Sequence, residues 1–142
     1  AKDGFDVTAV TDLDAAVRQS DIVTCVTTST APIVKGGWLK PGAHVDLAGA
    51  FKPSRRETDA EVVARAAVYV DTRDGALAEA GDLLQARDEG KFDFASIKGD
   101  LFDLCRGKVA GRGSAAEITL FKSCGTAIED LATAIMVYQK AA

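Results

Sequence analysis

Short apolar runs alternate along this chain with stretches whose apolar residues recur at helical spacing. Residues 7–10 read as a short strand. Thr11, with Asp14 three residues on, is a variant capping box for a helix whose stripe is Leu13, Ala16 and Val17. Asp21 precedes residues 22–26, a run rich in β-branched side chains that predicts a buried parallel strand. Trp38 and Leu39 form a short element before the turn at Pro41 and Gly42, and a third strand is expected over residues 44–47. Thr58 with Glu61 repeats the capping pattern and opens a helix over residues 61–66. A fourth strand spans residues 68–70, followed by a helix with Leu77, Ala80, Leu83 and Leu84 on one face. Asp100 caps a further helix through Leu101, Leu104 and Cys105, stopped by Gly107. Residues 107–114, with three glycines, read as a loop, and residues 118–121 as a fifth apolar run. Thr126 with Glu129 caps the last helix, whose stripe is Ile128, Leu131, Ala132 and Ile135.

Strands separated by helices imply βαβ units and a parallel sheet, so the expected class is α/β. The chain opens on Ala1-Lys2-Asp3-Gly4-Phe5, which reads as the worn end of a helix leading into a strand. No G-x-G-x-x-G precedes it, although a dinucleotide-binding sheet normally starts with that glycine turn. The expectation is a fragment cut inside a parallel-sheet domain. Such a sheet would expose an apolar edge. Residues 1–125 form the sheet unit, and residues 126–142 form a helix free to leave it.

Composition narrows the class. Apolar residues make up 47% of the 142, charged residues 27%, and the net charge is -4 with both signs scattered. That is a soluble globular composition with no basic run or aromatic–basic cluster for nucleic acid. No apolar run approaches the ~20 residues of a membrane span. Cys25, Cys105 and Cys124 are odd in number and widely spaced, which argues against a disulfide framework or a zinc ribbon and fits the cytoplasm. Each reads as a small buried hydrophobe. A polyanionic cofactor would have to be held by backbone N–H groups and hydroxyls.

Three strand ends carry candidate chemistry, because ligands of open parallel sheets bind beyond the carboxyl ends of the strands. Val26-Thr27-Thr28-Ser29-Thr30 is either an ordinary polar loop or a set of donors for ribose and phosphate oxygens. Asp46-Leu47-Ala48-Gly49-Ala50-Phe51-Lys52-Pro53 is either a tight turn or a place where small residues let backbone approach a flat ring, with Arg55, Arg56 and Glu57 following on the same rim. Phe121-Lys122-Ser123-Cys124-Gly125-Thr126 is either a plain strand–helix connection or a helix N-terminus that receives a negative or carbonyl group. His44, the single histidine, lies inside a strand pattern and reads as structural. Asp71 and Asp74 flank a helix start, where acids cap and complement the dipole. No His/Cys/Asp spacing suits a metal.

Taken together these stretches resemble the ornithine cyclodeaminase/mu-crystallin family. The resemblance is carried by residues 21–29 with Trp38-Leu39-Lys40-Pro41-Gly42-Ala43-His44-Val45, and by Gly49-Ala50-Phe51-Lys52-Pro53 with Arg56-Glu57 and Asp59. Ala80-Gly81-Asp82 and Ile118-Thr119-Leu120-Phe121-Lys122-Ser123, with Gly125 and Glu129-Asp130, complete it. The resemblance implies a partial Rossmann-type parallel sheet with flanking helices, lacking the first strands and the glycine-rich turn, and binding NADPH or NADH. Thr27, Thr28 and Ser29 would contact the cofactor, Ala48 and Gly49 would lie against the nicotinamide, and Ser123 would touch the nicotinamide end. The helix from Thr126 would return to a substrate and dimerisation domain, which supplies the family's substrate-carboxylate arginine and active-site lysine, so no catalytic residue is expected here. Cyclodeaminases of the family carry a catalytic aspartate where this chain has Phe51, which cannot accept a proton. A reductase of a small cyclic imino acid, of the pyrroline-2-carboxylate or ketimine type, is therefore implied, with Phe51 against the substrate ring and Arg55, in place of a substrate-contacting lysine, beside it. Cyclodeamination, alanine dehydrogenation and a crystallin-like protein that holds NADP without turnover are the alternatives. The expected assembly is a homodimer.

Overall fold

The computed structural model describes residues 4–141. The reading of residues 1–3 as a worn helix end, and of Ala142 as the last residue of the final helix, lies outside them. Among the described residues the strands are β1 (Ile22–Cys25), β2 (His44–Leu47), β3 (Ala67–Val70), β4 (Gly99–Asp100) and β5 (Thr119–Lys122). They form one sheet in the order β1-β2-β5-β3-β4, and every pairing is parallel. The α/β parallel sheet implied by the alternation, and the Rossmann type implied by the resemblance, are observed. The helices are α1 (Leu13–Gln19), α2 (Ala60–Arg65), α3 (Arg73–Glu79), α4 (Gly81–Asp88), α5 (Leu101–Cys105) and α6 (Ala127–Ala141).

Register sorts the side chains by face. Val45, Leu120 and Val68 lie side by side, as do Leu47, Lys122 and Val70. With Val62, Val63, Ala80 and Leu83 from α2 and the α3–α4 junction they form the core. The other face presents His44, Asp46, Thr119, Phe121 and Tyr69. There Thr119 Oγ1 lies 2.8 Å from His44 Nδ1 and receives a 3.0 Å bond from Arg112. Burial lowers the His44 pKa below its ordinary value, which keeps the ring neutral near pH 7.

Several local expectations are corrected. Residues 7–10 are not a strand: Val7 is 74% exposed, and among the described residues no strand pairs with this segment. Asp12, not Thr11, caps α1, accepting from Ala15 N at 3.1 Å. Asp59, not Thr58, caps α2 and also holds Gly36 N, while Thr58 is buried. The helix expected through Leu77 and Leu84 is two helices that meet at Ala80, and Leu77 is exposed. The break seats Gly81 against the chain 52–55: Gly81 N donates to Ala50 O, and a Cβ there would strike the carbonyls of Lys52 and Arg55.

Asp100 does cap α5, accepting from Asp103 N at 2.9 Å, and Gly107 ends it with φ 64°. Cys25 is buried as expected, whereas Cys124 is half-buried and Cys105 is exposed, because α5 buries none of its residues. In α6 the predicted stripe exists but has nothing over it: Ile128, Leu131 and Ile135 are all exposed.

Candidate functional site

The carboxyl ends of β1, β2 and β5 are neighbours in the sheet, so their three following loops meet on one rim. Ala48 N donates to Cys25 O at 2.9 Å and Ser123 N donates to Leu47 O at 2.9 Å, which continues the ladder to the edge. The structure thus brings Thr27, Ala48, Gly49 and Ser123 onto adjacent strand ends. Thr27 is half-buried, Thr28 exposed and Ser29 half-buried. The Thr27 hydroxyl accepts from Ser29 N at 3.2 Å, while the Ser29 hydroxyl donates within the loop to Ala31 O at 2.6 Å. That commits the Ser29 proton to its own turn and leaves Thr27 and Thr28 as the hydroxyl donors.

Gly49 is buried and its identity is sterically required. A Cβ added there would lie within 3.0 Å of Thr27 N, Thr27 O and a Glu57 oxygen. Farther along this loop Phe51 is 40% exposed, and the Arg55 guanidinium stacks over its ring at 4.8 Å. Arg55 Nη1 is buried without a hydrogen-bond partner. The pair forms an apolar plate with a cationic edge.

Four residues that matter to this rim were not singled out for their roles in the sequence. Glu57, fully buried, accepts from Thr27 N at 2.6 Å and from Gly49 N at 2.9 Å. Asp82 Oδ1 accepts from Glu57 N at 2.8 Å, from Thr58 N at 2.9 Å and from the Thr58 hydroxyl at 3.1 Å. Lys122, also fully buried, donates to Leu47 O at 3.3 Å and Ser123 O at 3.1 Å, with Asp82 Oδ2 at 4.0 Å. Burial raises the Asp82 carboxyl above the usual aspartate range, against the N–H donors of Thr58 and Glu57 and the Lys122 charge. The same environment pushes the Cys25 thiol up to about 12, burial first and the Glu57 charge next.

Asp71 is the fourth, and it corrects the reading of this acid as a helix-start residue. Thr72 caps α3, and Asp74 is the acid in its first turn. Asp71 is buried, and its Oδ2 accepts from Cys124 N and Gly125 N at 2.7 Å each and from the Ser123 hydroxyl at 3.2 Å. Ser123 spends its proton on Asp71, so its oxygen faces any ligand as an acceptor. A sequence signal exists for Asp82, between Gly81 and Leu83 in an apolar pattern; Glu57 lies in a charged run beside Arg56, and Asp71 beside Thr72 looks like an ordinary cap.

An apolar cleft of about 240 Å³ lies between α5 and α6, lined by residues such as Thr72, Phe102 and Ile128. Of the residues in the three predicted strand-end stretches Thr126 alone lines it; Thr27, Ala48, Gly49, Phe51, Arg55 and Ser123 do not. Among the described residues no helix is long and apolar enough to cross a membrane.

Known proteins resemble this chain in sequence and fold. The chain is 46% identical over 126 residues to a Delta(1)-pyrroline-2-carboxylate reductase of Paracoccus denitrificans, covering 89% of this chain and 40% of that protein. It is 39% identical to the ketimine reductase mu-crystallin of Mus musculus, covering 94% of this chain and 40% of that one. Its fold matches the Thermococcus litoralis Delta(1)-pyrroline-2-carboxylate reductase, solved in complex with NADH and L-proline, with a TM-score of 0.89 and 40% identity over 93% of this chain and 41% of that one. The chain thus spans about 40% of the length of the curated relatives it matches. The sequence model of the ornithine cyclodeaminase/mu-crystallin family matches residues 1–142 from end to end, and the chain belongs to that family.

Proposed function

We propose that this segment supplies the strand-end half of a nicotinamide-dinucleotide site in an enzyme that reduces the C=N bond of a small cyclic 2-imino acid, such as a pyrroline-2-carboxylate. The observation that supports it most is the convergence of the β1, β2 and β5 loops on one rim, in a chain 40% identical to a reductase solved with NADH and L-proline. The rim fits NADH or NADPH. Thr27 and Thr28 offer hydroxyls and backbone, and the small Ala48 and Gly49 leave room for a flat ring. Ser123, held by Asp71, offers an acceptor suited to a carboxamide N–H. When bound, the reduced nicotinamide supplies hydride to the imine carbon. Phe51 packs against the substrate ring, and the Arg55 guanidinium on its face attracts the substrate carboxylate. These residues bind and orient, and the proton for the ring nitrogen comes from another group.

Phe51 also separates this reading from cyclodeamination, because its ring neither accepts a proton nor pairs with an amine. The exposed apolar stripe of α6 supports a further reading: residues 126–142 leave the sheet to pack against a second lobe, in a homodimeric enzyme. Three free cysteines fit the reducing cytoplasm. The test is made on the protein at its full encoded length. Oxidation of NADH or NADPH that depends on pyrroline-2-carboxylate supports the reductase. Release of ammonia from ornithine without imine reduction refutes it. Tight nucleotide binding without turnover of imine or of L-alanine refutes it in favour of a crystallin-like binding protein.

A further inference from the structure

We propose that Glu57 is a positioning residue that fastens the β1 and β2 loops into one rigid shelf for the dinucleotide. The inference rests on the cofactor reading above and adds to it the device that sets the shelf's width. The β1–β2 ladder reaches its last backbone bond at Ala48 N to Cys25 O. Beyond that point the Glu57 carboxylate takes over, one oxygen on Thr27 N at 2.6 Å and the other on Gly49 N at 2.9 Å. The two donors belong to the two loops that carry the predicted cofactor contacts. A carboxylate spanning two N–H groups ties both to one rigid O–C–O unit and so limits their separation, which a hydrogen bond to either loop alone cannot do.

Core filling does not account for this side chain. Glu57 is wholly buried, and burying a carboxylate is costly where an apolar side chain is not. Among the described residues no ion pair offsets it: Arg56 next to it pairs with Glu89, and Lys122 lies nearer Asp82. Its hydrogen bonds go to the two loops. The backbone beneath is fixed in turn. Glu57 N donates to Asp82 Oδ1, and Glu57 O accepts from Ile33 N at 2.8 Å and Val34 N at 3.1 Å. Gly49 fits the same design, since a Cβ would occupy the space that the carboxylate and Thr27 fill.

The test uses the protein at its full encoded length, with NADH and NADPH as probes. In Glu57→Gln the amide oxygen accepts from one loop while the NH2 group faces the other loop's N–H, so one tie becomes a repulsion. The expected result is a Kd for the preferred nucleotide raised roughly tenfold or more. Hydrogen exchange at Thr27 and Gly49 should quicken by a similar factor. Val63→Ala, a buried change on α2 away from the rim, serves as the stability control. It should lower Tm and quicken exchange at Thr27, Gly49 and the sheet core alike, while leaving the Kd unchanged; in Glu57→Gln the two loop amides should quicken more than the core does. A Glu57→Gln protein that binds as tightly as wild type overturns the proposal and leaves the cofactor reading standing. Wild-type protein that binds neither nucleotide overturns the cofactor reading itself. Should Glu57→Gln fail to fold, wild type alone decides. The clamp requires Thr27 and Gly49 amides to exchange as slowly as the sheet core without nucleotide, and fast exchange there overturns it.

Discussion

Lys122→Met is the perturbation that bears hardest on the buried charges beneath the rim. Lys122 has no exposed surface, and its ammonium donates to the carbonyls of Leu47 and Ser123. Methionine matches the stem in length and apolar character, so the change removes the charge and little packing. Two groups then lose their partner. Leu47 O keeps Ser123 N, but Ser123 O loses the donor it has from Lys122. Asp82 Oδ2, which has no hydrogen bond, loses the positive charge 4.0 Å away. Removing one member of a buried pair typically costs about 3–5 kcal/mol, a large part of a total stability of roughly 5–15 kcal/mol. Equilibrium unfolding in urea at pH 7 measures it. The partner variant Asp82→Asn closes a cycle in which the double variant should lose less than the sum of the singles, by roughly 1–3 kcal/mol. A Lys122→Met protein within about 1 kcal/mol of wild type, or strict additivity, would refute the argument that these charges depend on each other.

Three further outcomes follow from the same network. Gly49→Ala should destabilise by roughly 2–3 kcal/mol, because its methyl group overlaps both the Thr27 backbone and the buried Glu57 carboxylate; a neutral Tm would contradict the geometry. Burial raises the Asp82 pKa above its unfolded value, so the native state holds this proton more tightly and stability declines as pH rises from the ordinary aspartate value of 3.8 to the raised folded value. Asp82→Asn lacks that slope, so the stability advantage of wild type over the variant should shrink across this window, and an advantage that grows with pH would contradict it. Of the three thiols, Cys25 at about 12 and Cys124 at about 11 stay protonated near pH 8, while Cys105 is exposed. A chromogenic thiol reagent should label one cysteine rapidly in the native protein and all three after denaturation; fast labelling of two would contradict the burial described.

How much of this was legible in the sequence depends on whether a residue answers to its neighbours in the chain or to distant ones. The strand at His44–Leu47 was readable because its burial alternates with the chain. The Asp100 cap and the Gly107 stop were readable because a cap and its helix lie within one turn. Residues 7–10 carry the same local pattern and form no strand, since a strand exists only where another chain segment pairs with it. Lys122 was grouped with the rim by its position after an apolar run, yet it points into the core, because its register beside Leu47 and Val70 puts it on the helix-covered face. Asp71 and Asp74 look alike in sequence. One takes the first turn of α3, and the other reaches a loop more than fifty residues away. The rim residues Thr27, Gly49 and Ser123 were found because strand ends are local features. The acids that hold them were not, because Glu57 and Asp71 work through hydrogen bonds to segments remote in the chain.

The most direct test of the central reading follows the hydride. The protein at its full encoded length is given pyrroline-2-carboxylate and NADH or NADPH deuterated at the transferring carbon of the nicotinamide, and the product is examined by mass spectrometry. The account predicts proline carrying one deuterium at C2, formed in step with nucleotide oxidation. Unlabelled proline, or no proline formed from the imine, would contradict it.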